Sequence, residues 1–210
     1  MKADKRFLVY LCSCYMLFFL GILSFYLFNP FSNECVQGNC ENSHGIYNYQ
    51  SGMRYDGEWD NGKRHGKGTL TYHDGTKYVG EWKHNRMHGY GVKTSPIYRY
   101  YKYIGEWKNG NRDGDGIHYF TPDEWYEGQW KNGKMDGFGV FTGFSRRKYE
   151  GQYKNGLWHG YGIYTEKDGI QYKGHWINNK KHGEGTLIYP DGTKLKGKWI
   201  DNKLAEIKTR

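Results

Sequence analysis

Residues 55–72 read YDGEWDNGKRHGKGTLTY, and His73-Asp74-Gly75 closes the unit. Tyr55, Gly57 and Trp59 alternate at the two-residue period of a strand. Asn61-Gly62 interrupts them, after which Gly66, Gly68, Leu70 and Tyr72 alternate again. Asn-Gly and Asp-Gly between alternating runs are strong hairpin signals, because both turn positions require φ > 0. The stretch therefore predicts a two-stranded hairpin with a second turn leading onward. Tyr55, Gly57 and Trp59 are expected on one face, joined there by Gly66, Gly68 and Leu70, with each large ring covering backbone that a glycine leaves bare.

The unit recurs. Its aromatic-x-Gly-x-aromatic opening returns at Tyr55, Tyr78, Tyr103, Tyr126, Tyr149 and Tyr172, with a last copy in which Leu195 stands for Tyr. The steps are 23, 25, 23, 23, 23 and 23 residues. A fixed period in this range across most of a chain means a repeat architecture. The longer step falls in TSPIYRYYK at 94–102, where Pro96 suits a loop and not a strand interior, so this loop is a candidate kink or contact point. Gly45 to Tyr49 with Ser51-Gly52 match the second strand and turn of a unit without its first strand, and LKGKWIDNK at 195–203 is expected to end without a second strand. The predicted fold is all-β: an elongated single-layer antiparallel sheet of tandem 23-residue hairpins, with about 14 strands spanning ~65 Å.

These residues resemble the MORN repeat family, whose pattern is roughly Tyr-x-Gly-x-Trp, Asn-Gly-Lys, His-Gly-x-Gly, Asp-Gly. YDGEWDNGKRHGKG at 55–68 and YKGHWINNKKHGEG at 172–185 show it, and the resemblance covers residues 45–203. It implies scaffolding or membrane association. Some MORN proteins add a kinase or methyltransferase domain, and here no residues are left over for one. The chain also lacks a Gly-rich loop opening a helix, a nucleophile elbow and a carboxylate pair outside the repeat pattern. The expectation is a non-enzyme with no cofactor.

Before the repeats, Phe7 to Phe28 form an uncharged apolar run. As a helix it would be ~33 Å long, enough to cross a bilayer's hydrocarbon core. Lys2, Lys5 and Arg6 precede it and no Lys or Arg follows in 29–43, so the positive-inside rule keeps residues 1–6 cytoplasmic and sends the repeats across. The expected order is a basic tail (1–6), a transmembrane signal anchor (7–28), a linker (29–44), the repeat sheet (45–203) and a short tail (204–210). A cleaved signal peptide, giving a secreted ribbon, is the alternative, although the run is longer than the usual h-region. Across the membrane, oxidising conditions would let Cys35 and Cys40 pair, with free thiols as the other reading. The lead-in CVQGNCENSHG looks like that of bacterial MORN proteins, which would make the compartment periplasmic.

The chain of 210 residues carries a formal net charge of +9, so anionic surfaces are favoured as partners. Two candidate binding features arise. The first is a groove formed by Tyr55, Trp59, Tyr78, Trp82, Tyr103, Trp107, Tyr126, Trp130, Tyr149, Tyr153, Tyr172, Trp176 and Trp199; the plainer reading is that rings and glycines only cover each other. The second is a basic edge of Lys63, Arg64, Arg86, Arg112, Lys134, Lys180 and Lys181 at the hairpin tips. Glu58, Glu81, Glu106, Gln129 and Gln152 are expected on the opposite face, solvated or paired across strands. His65, His88, His159 and His182 recur, with Asp113 and Asp136 in two copies. One repeat apart they would be ~9–10 Å from each other, too far to share a metal, so no metal site is expected. The functional expectation is a membrane-anchored, non-catalytic interaction or scaffold module that binds a protein or an anionic lipid surface, with nucleic acid excluded. A glycan or cell-wall module using the Tyr/Trp face is the alternative.

Overall fold

The computed structural model describes residues 32–97 and 100–208. The expected cytoplasmic tail (1–6) and transmembrane helix (7–28) lie outside these residues, as does part of the 94–102 loop. Among the described residues no helix is long and apolar enough to cross a membrane.

The described chain is one open antiparallel sheet of 16 strands whose spatial order is the sequence order. It begins with β1 (Glu34–Gly38) and β2 (His44–Asn48). Six hairpins follow: β3 (Arg54–Asp60) with β4 (Lys63–Thr71), β5 (Lys77–Lys83) with β6 (Arg86–Thr94), and β7 (Lys102–Lys108) with β8 (Asn111–Thr121). Then come β9 (Glu124–Lys131) with β10 (Lys134–Thr142), β11 (Lys148–Lys154) with β12 (Leu157–Thr165), and β13 (Gln171–Ile177) with β14 (Lys180–Ile188). β15 (Lys194–Ile200) and β16 (Lys203–Ile207) end the sheet.

Two strands exceed the expected count. β1 lies inside the supposed linker and pairs with β2, and the Cys35–Cys40 disulfide closes that first hairpin. β16 gives the last copy the second strand it was expected to lack, with Leu204 opposite Trp199 and packed on the core. Neither strand carries the His-Gly-x-Gly element, so the repeat pattern could not announce it. The sheet thus runs from 34 to 207, beyond the expected 45–203.

Each tip turn has two residues at positive φ, as at Asn61 (48°) and Gly62 (67°), which matches the twist of the strands it joins. Asn178-Asn179 achieves the same at 50° and 65°, since Asn tolerates this region better than other side chains. Tips are also tied to one another: the Asn85 and Gly110 amides donate to the carbonyls of Arg64 and Met87 in the preceding hairpins.

Every Gly-x-aromatic strand faces its partner across a β-bulge. Gly57 opposes Gly68, whereas Glu58 opposes His65, leaving Gly66 and Lys67 as the extra residues. Gly66 therefore sits in the bulge, at φ 54°, and does not extend the Gly68–Leu70 row as expected. The polar row on the opposite face is not simply solvated either. Glu58 accepts from the Lys67 amide (2.9 Å), Glu81 from Tyr90 (2.9 Å) and Glu106 from Asp115 (3.1 Å). Gln129 and Gln152 accept from Phe138 (2.8 Å) and Tyr161 (3.0 Å) in the same way. The bulge needs an acceptor oxygen and not a charge. Glu81→Gln should accordingly leave stability unchanged, whereas Glu81→Ala should cost about 1 kcal/mol in a urea titration.

Candidate functional site

The predicted aromatic groove is the protein's core. Tyr55, Tyr78, Tyr103, Tyr126 and Tyr149 are 0% exposed, and Trp59, Trp82, Trp107, Trp130, Tyr153, Tyr172, Trp176 and Trp199 are also buried. The rings form a continuous zigzag of edge contacts. Tyr103 meets Trp107 at 5.1 Å and Trp130 at 5.4 Å, and Tyr126 meets Trp130 at 5.2 Å and Tyr153 at 5.0 Å. Each Tyr hydroxyl lies over a facing glycine pair, and that of Tyr126 donates to the Gln129 carbonyl at 3.0 Å. The indoles of Trp59, Trp82, Trp107, Trp130 and Trp176 reach back one repeat, as Trp130 Nε1 does to the Gly116 carbonyl at 3.2 Å, whereas Trp199 Nε1 finds no partner. Burial pushes these phenols up, that of Tyr172 to about 12. Rings with so little exposed area offer no stacking platform, which removes the surface on which the glycan reading rested.

The predicted basic edge divides in two. Lys63, Arg86, Lys134 and Lys180 are exposed at the tips, with Lys180 3.7 Å from Asp201. Arg64, Arg112 and Lys181 instead fold back over the aromatic face. The Arg64 guanidinium sits 4.5 Å from the Trp82 ring, Arg112 lies 3.9 Å from Trp130, and Lys181 Nζ lies 5.3 Å from Trp199. Burial pulls the pKa of Arg112 and Lys181 down. The equivalent place holds Met87, Met135 and Trp158 in other repeats, the last stacked on Tyr149 at 4.2 Å. That place therefore needs a long or flat side chain to cover a ring, and charge is incidental to it.

The recurrent polar position serves the turns. Asp113 and Asp136 accept from the Asn132 (3.0 Å) and Asn155 (3.1 Å) amides of the next tip. Where the next tip ends in Asn instead, its own side chain does the accepting, as Asn179 does from the Trp158 amide at 2.7 Å. His65, His88, His159 and His182 each keep a solvent-inaccessible Nδ1 without a hydrogen-bond partner. Sequence reasoning compared only equivalent histidines and so passed over His84, a turn residue. With Asp60 and His65 it forms a trio of possible ligands lying within 4.8 Å of one another.

The face away from the rings is uncovered, and its composition was missed. Val79, Val92, Ile104 and Ile117 lie in register on adjacent strands, with Val140 further along the same row. Beside this row Tyr90, Phe138 and Tyr161 stand 57%, 54% and 53% exposed. Tyr90, Ile104, Ile117, Phe138 and Val140 line a shallow trough of about 530 Å³ whose floor is glycine backbone at Gly105, Gly116, Gly128 and Gly139. Asp115 and Glu127 stand at its rim. Apolar residues alternating with glycine had been assigned wholly to the covered face. The available signal was the β-branched residue between Tyr and Gly in two units, YVG at 78–80 and YIG at 103–105.

No curated protein matches this chain. Among solved structures it is similar to the SAS-4 (dCPAP) TCP domain of Drosophila melanogaster, solved in complex with a proline-rich motif of Ana2 (dSTIL). That match has 13% identity, covers 85% of this chain and 90% of the other, and has a TM-score of 0.46. The MORN repeat model matches residues 55–77, 78–98, 103–122, 126–145, 149–170 and 172–194, which are six of the hairpin units and their outgoing turns. These matches cover more than half of the sequence, and the chain belongs to the MORN repeat family.

Proposed function

We propose that this chain is a non-catalytic scaffold that docks a protein partner on the uncovered sheet face and is held at a membrane by residues 7–28. The observation that carries the reading is the row of exposed Tyr90, Phe138 and Tyr161 along an apolar trough, since a ring left open in a sheet gains nothing from folding. Aromatic residues around an apolar floor are the usual anchors of protein interfaces. Glu81, Asp115 and Glu127 on the same face favour a partner segment with apolar and basic residues, not the acidic partner or anionic lipid that net charge suggested. The Cys35–Cys40 disulfide supports an oxidising compartment for the repeats, in keeping with the anchor's expected orientation.

A photo-crosslinking amino acid placed at position 90, 138 or 161 of the full-length protein in cells should trap a discrete protein adduct. Phe138→Ala and Tyr161→Ala should each weaken that adduct, at a cost of more than about 1 kcal/mol in binding. Adducts formed only from positions 63, 86 and 134, or only with lipid, would show that the tip edge is the contact and the open face is not.

A further inference from the structure

The tips of the first two of the six repeat hairpins, β3–β4 and β5–β6, bring together three donors that no other pair of tips does among the described residues. Asp60 ends β3, His65 lies on β4 of the same hairpin, and His84 is the first turn residue between β5 and β6. The His65 and His84 rings are 5.5 Å apart between centroids, and His65 Nδ1 is 3.9 Å from Asp60 Oδ2. One ligand atom from each residue lies within 4.8 Å of the others. His65 Nδ1 is shut off from solvent and makes no hydrogen bond, its nearest charged neighbour being the Asp60 carboxylate.

The sequence around this trio departs from the repeat at both places that flank His65. Where Asp60 stands, the other hairpins carry Lys83, Lys108, Lys131, Lys154, Ile177 and Ile200. Where His84 stands, they carry Asn61, Asn109, Asn132, Asn155, Asn178 and Asp201. His88 shows what the unaltered pattern gives: its Nδ1 is equally unpartnered, but the corresponding neighbours are Lys83 and Asn109, which supply a repelling cation and an amide. Only at the first tip does a carboxylate replace the cation while an imidazole replaces the amide.

We propose that Asp60, His65 and His84 bind a divalent transition-metal ion of the zinc class and that the ion ties the first hairpin tip to the second. Two imidazoles and one carboxylate are ordinary zinc donors at about 2.0–2.2 Å, with a fourth position left for water. The exposed His84 and half-exposed Asp60 side chains are free to rotate the short distance that such bonds require.

The test uses the untagged full-length protein in detergent, titrated with Co²⁺ as a visible-absorption probe and then competed with Zn²⁺. One equivalent should bind, and zinc should raise the thermal midpoint, because the ion binds the folded chain. His84→Asn and Asp60→Lys restore the residues of the other repeats and should fold normally while weakening binding by at least about tenfold. His182→Asn, which alters an equivalent histidine far from the trio, should leave the titration unchanged. Wild-type affinity in His84→Asn, a loss confined to His182→Asn, or no uptake at ~100 μM ion would overturn the assignment.

Discussion

Tyr126→Ala should be among the most destabilising single substitutions in the sheet, costing about 3–5 kcal/mol. The ring is 0% exposed, meets Trp130 and Tyr153 edge-on, covers Gly128 and Gly139, and donates to the Gln129 carbonyl. Its loss removes a large apolar side chain and two edge contacts worth about 0.5–1.5 kcal/mol each, and it bares two stretches of backbone that have no side chains of their own. A single-layer sheet has no second layer that could collapse into the gap. Tyr126 also links the rings on either side of it, and each hairpin touches mainly its neighbours, so the array has no alternative route for coupling its two halves. Urea unfolding followed by Trp fluorescence should therefore change from one transition to two in Tyr126→Ala. Tyr126→Phe keeps the ring over the glycines and should lose only about 1 kcal/mol, with the single transition retained. A single transition in both variants would mean that backbone pairing, and not the ring row, carries cooperativity along the sheet.

The converse change should be just as informative. A Cβ on Gly139 would collide with the Tyr126 ring and hydroxyl, which lie directly over it where Gly139 faces Gly128. Gly139→Ala should then destabilise by about 1–3 kcal/mol through overpacking, although alanine ordinarily suits a strand better than glycine. Gly133→Ala, at a turn residue with φ 82° and open space around it, tests something else, namely conformational strain without a clash.

The contrast explains what could be read from the sequence. Ring and glycine alternate because they are partners, and that covalent pattern repeats every 23 residues, so the hairpins, their order and their covered face were all legible. Among the non-repeating features the Cys35–Cys40 pairing was anticipated as one of two readings, but the strands at the two ends were not. β1 and β16 hold the ends of the sheet through the Cys35–Cys40 disulfide and the Leu204 contact, neither of which follows the repeat. The bulge was hidden because Gly66 and Gly68 fit a two-residue period equally well whether or not two residues loop out. Arg64 and Arg112 looked like edge charges because a linear sequence shows which turn a residue follows, and not which ring its side chain reaches. The trough on the uncovered face escaped notice because its residues alternate with the very glycines that were assigned to the core.

The covered, ring-bearing face carries a pH-sensitive position, and it yields the second large effect. His118 pairs with Tyr103 where the other repeats place Leu70, Lys93, Phe141, Tyr164 or Leu187, and it is 6% exposed among Tyr101, Phe120 and Trp130. Arg112 approaches its Nδ1 at 3.3 Å, and because a guanidinium only donates, Nδ1 must accept and the imidazole must be neutral. Burial first, and the Arg112 charge second, hold the His118 pKa down at about 4. An unfolded chain binds the proton near the ordinary value of about 6.5, so between these values the unfolded state carries more protons and stability rises with pH. Acidification from pH 7 to pH 4 should remove about 2–3 kcal/mol on account of this one ring. The carboxylates of Asp74 and Asp191 are held below their usual range by the Thr76 and Thr193 backbone amides, so their own losses fall at lower pH. His118→Leu installs the residue used elsewhere in the repeat and leaves Arg112 its bond to the Gly133 carbonyl at 2.8 Å and its seat over Trp130. Urea midpoints measured from pH 7 to pH 4 should fall steeply for the wild type and by much less for His118→Leu, the two curves diverging below about pH 6.5. Parallel curves would mean that His118 is protonated in the folded sheet without penalty, and that Arg112 moves away to allow it.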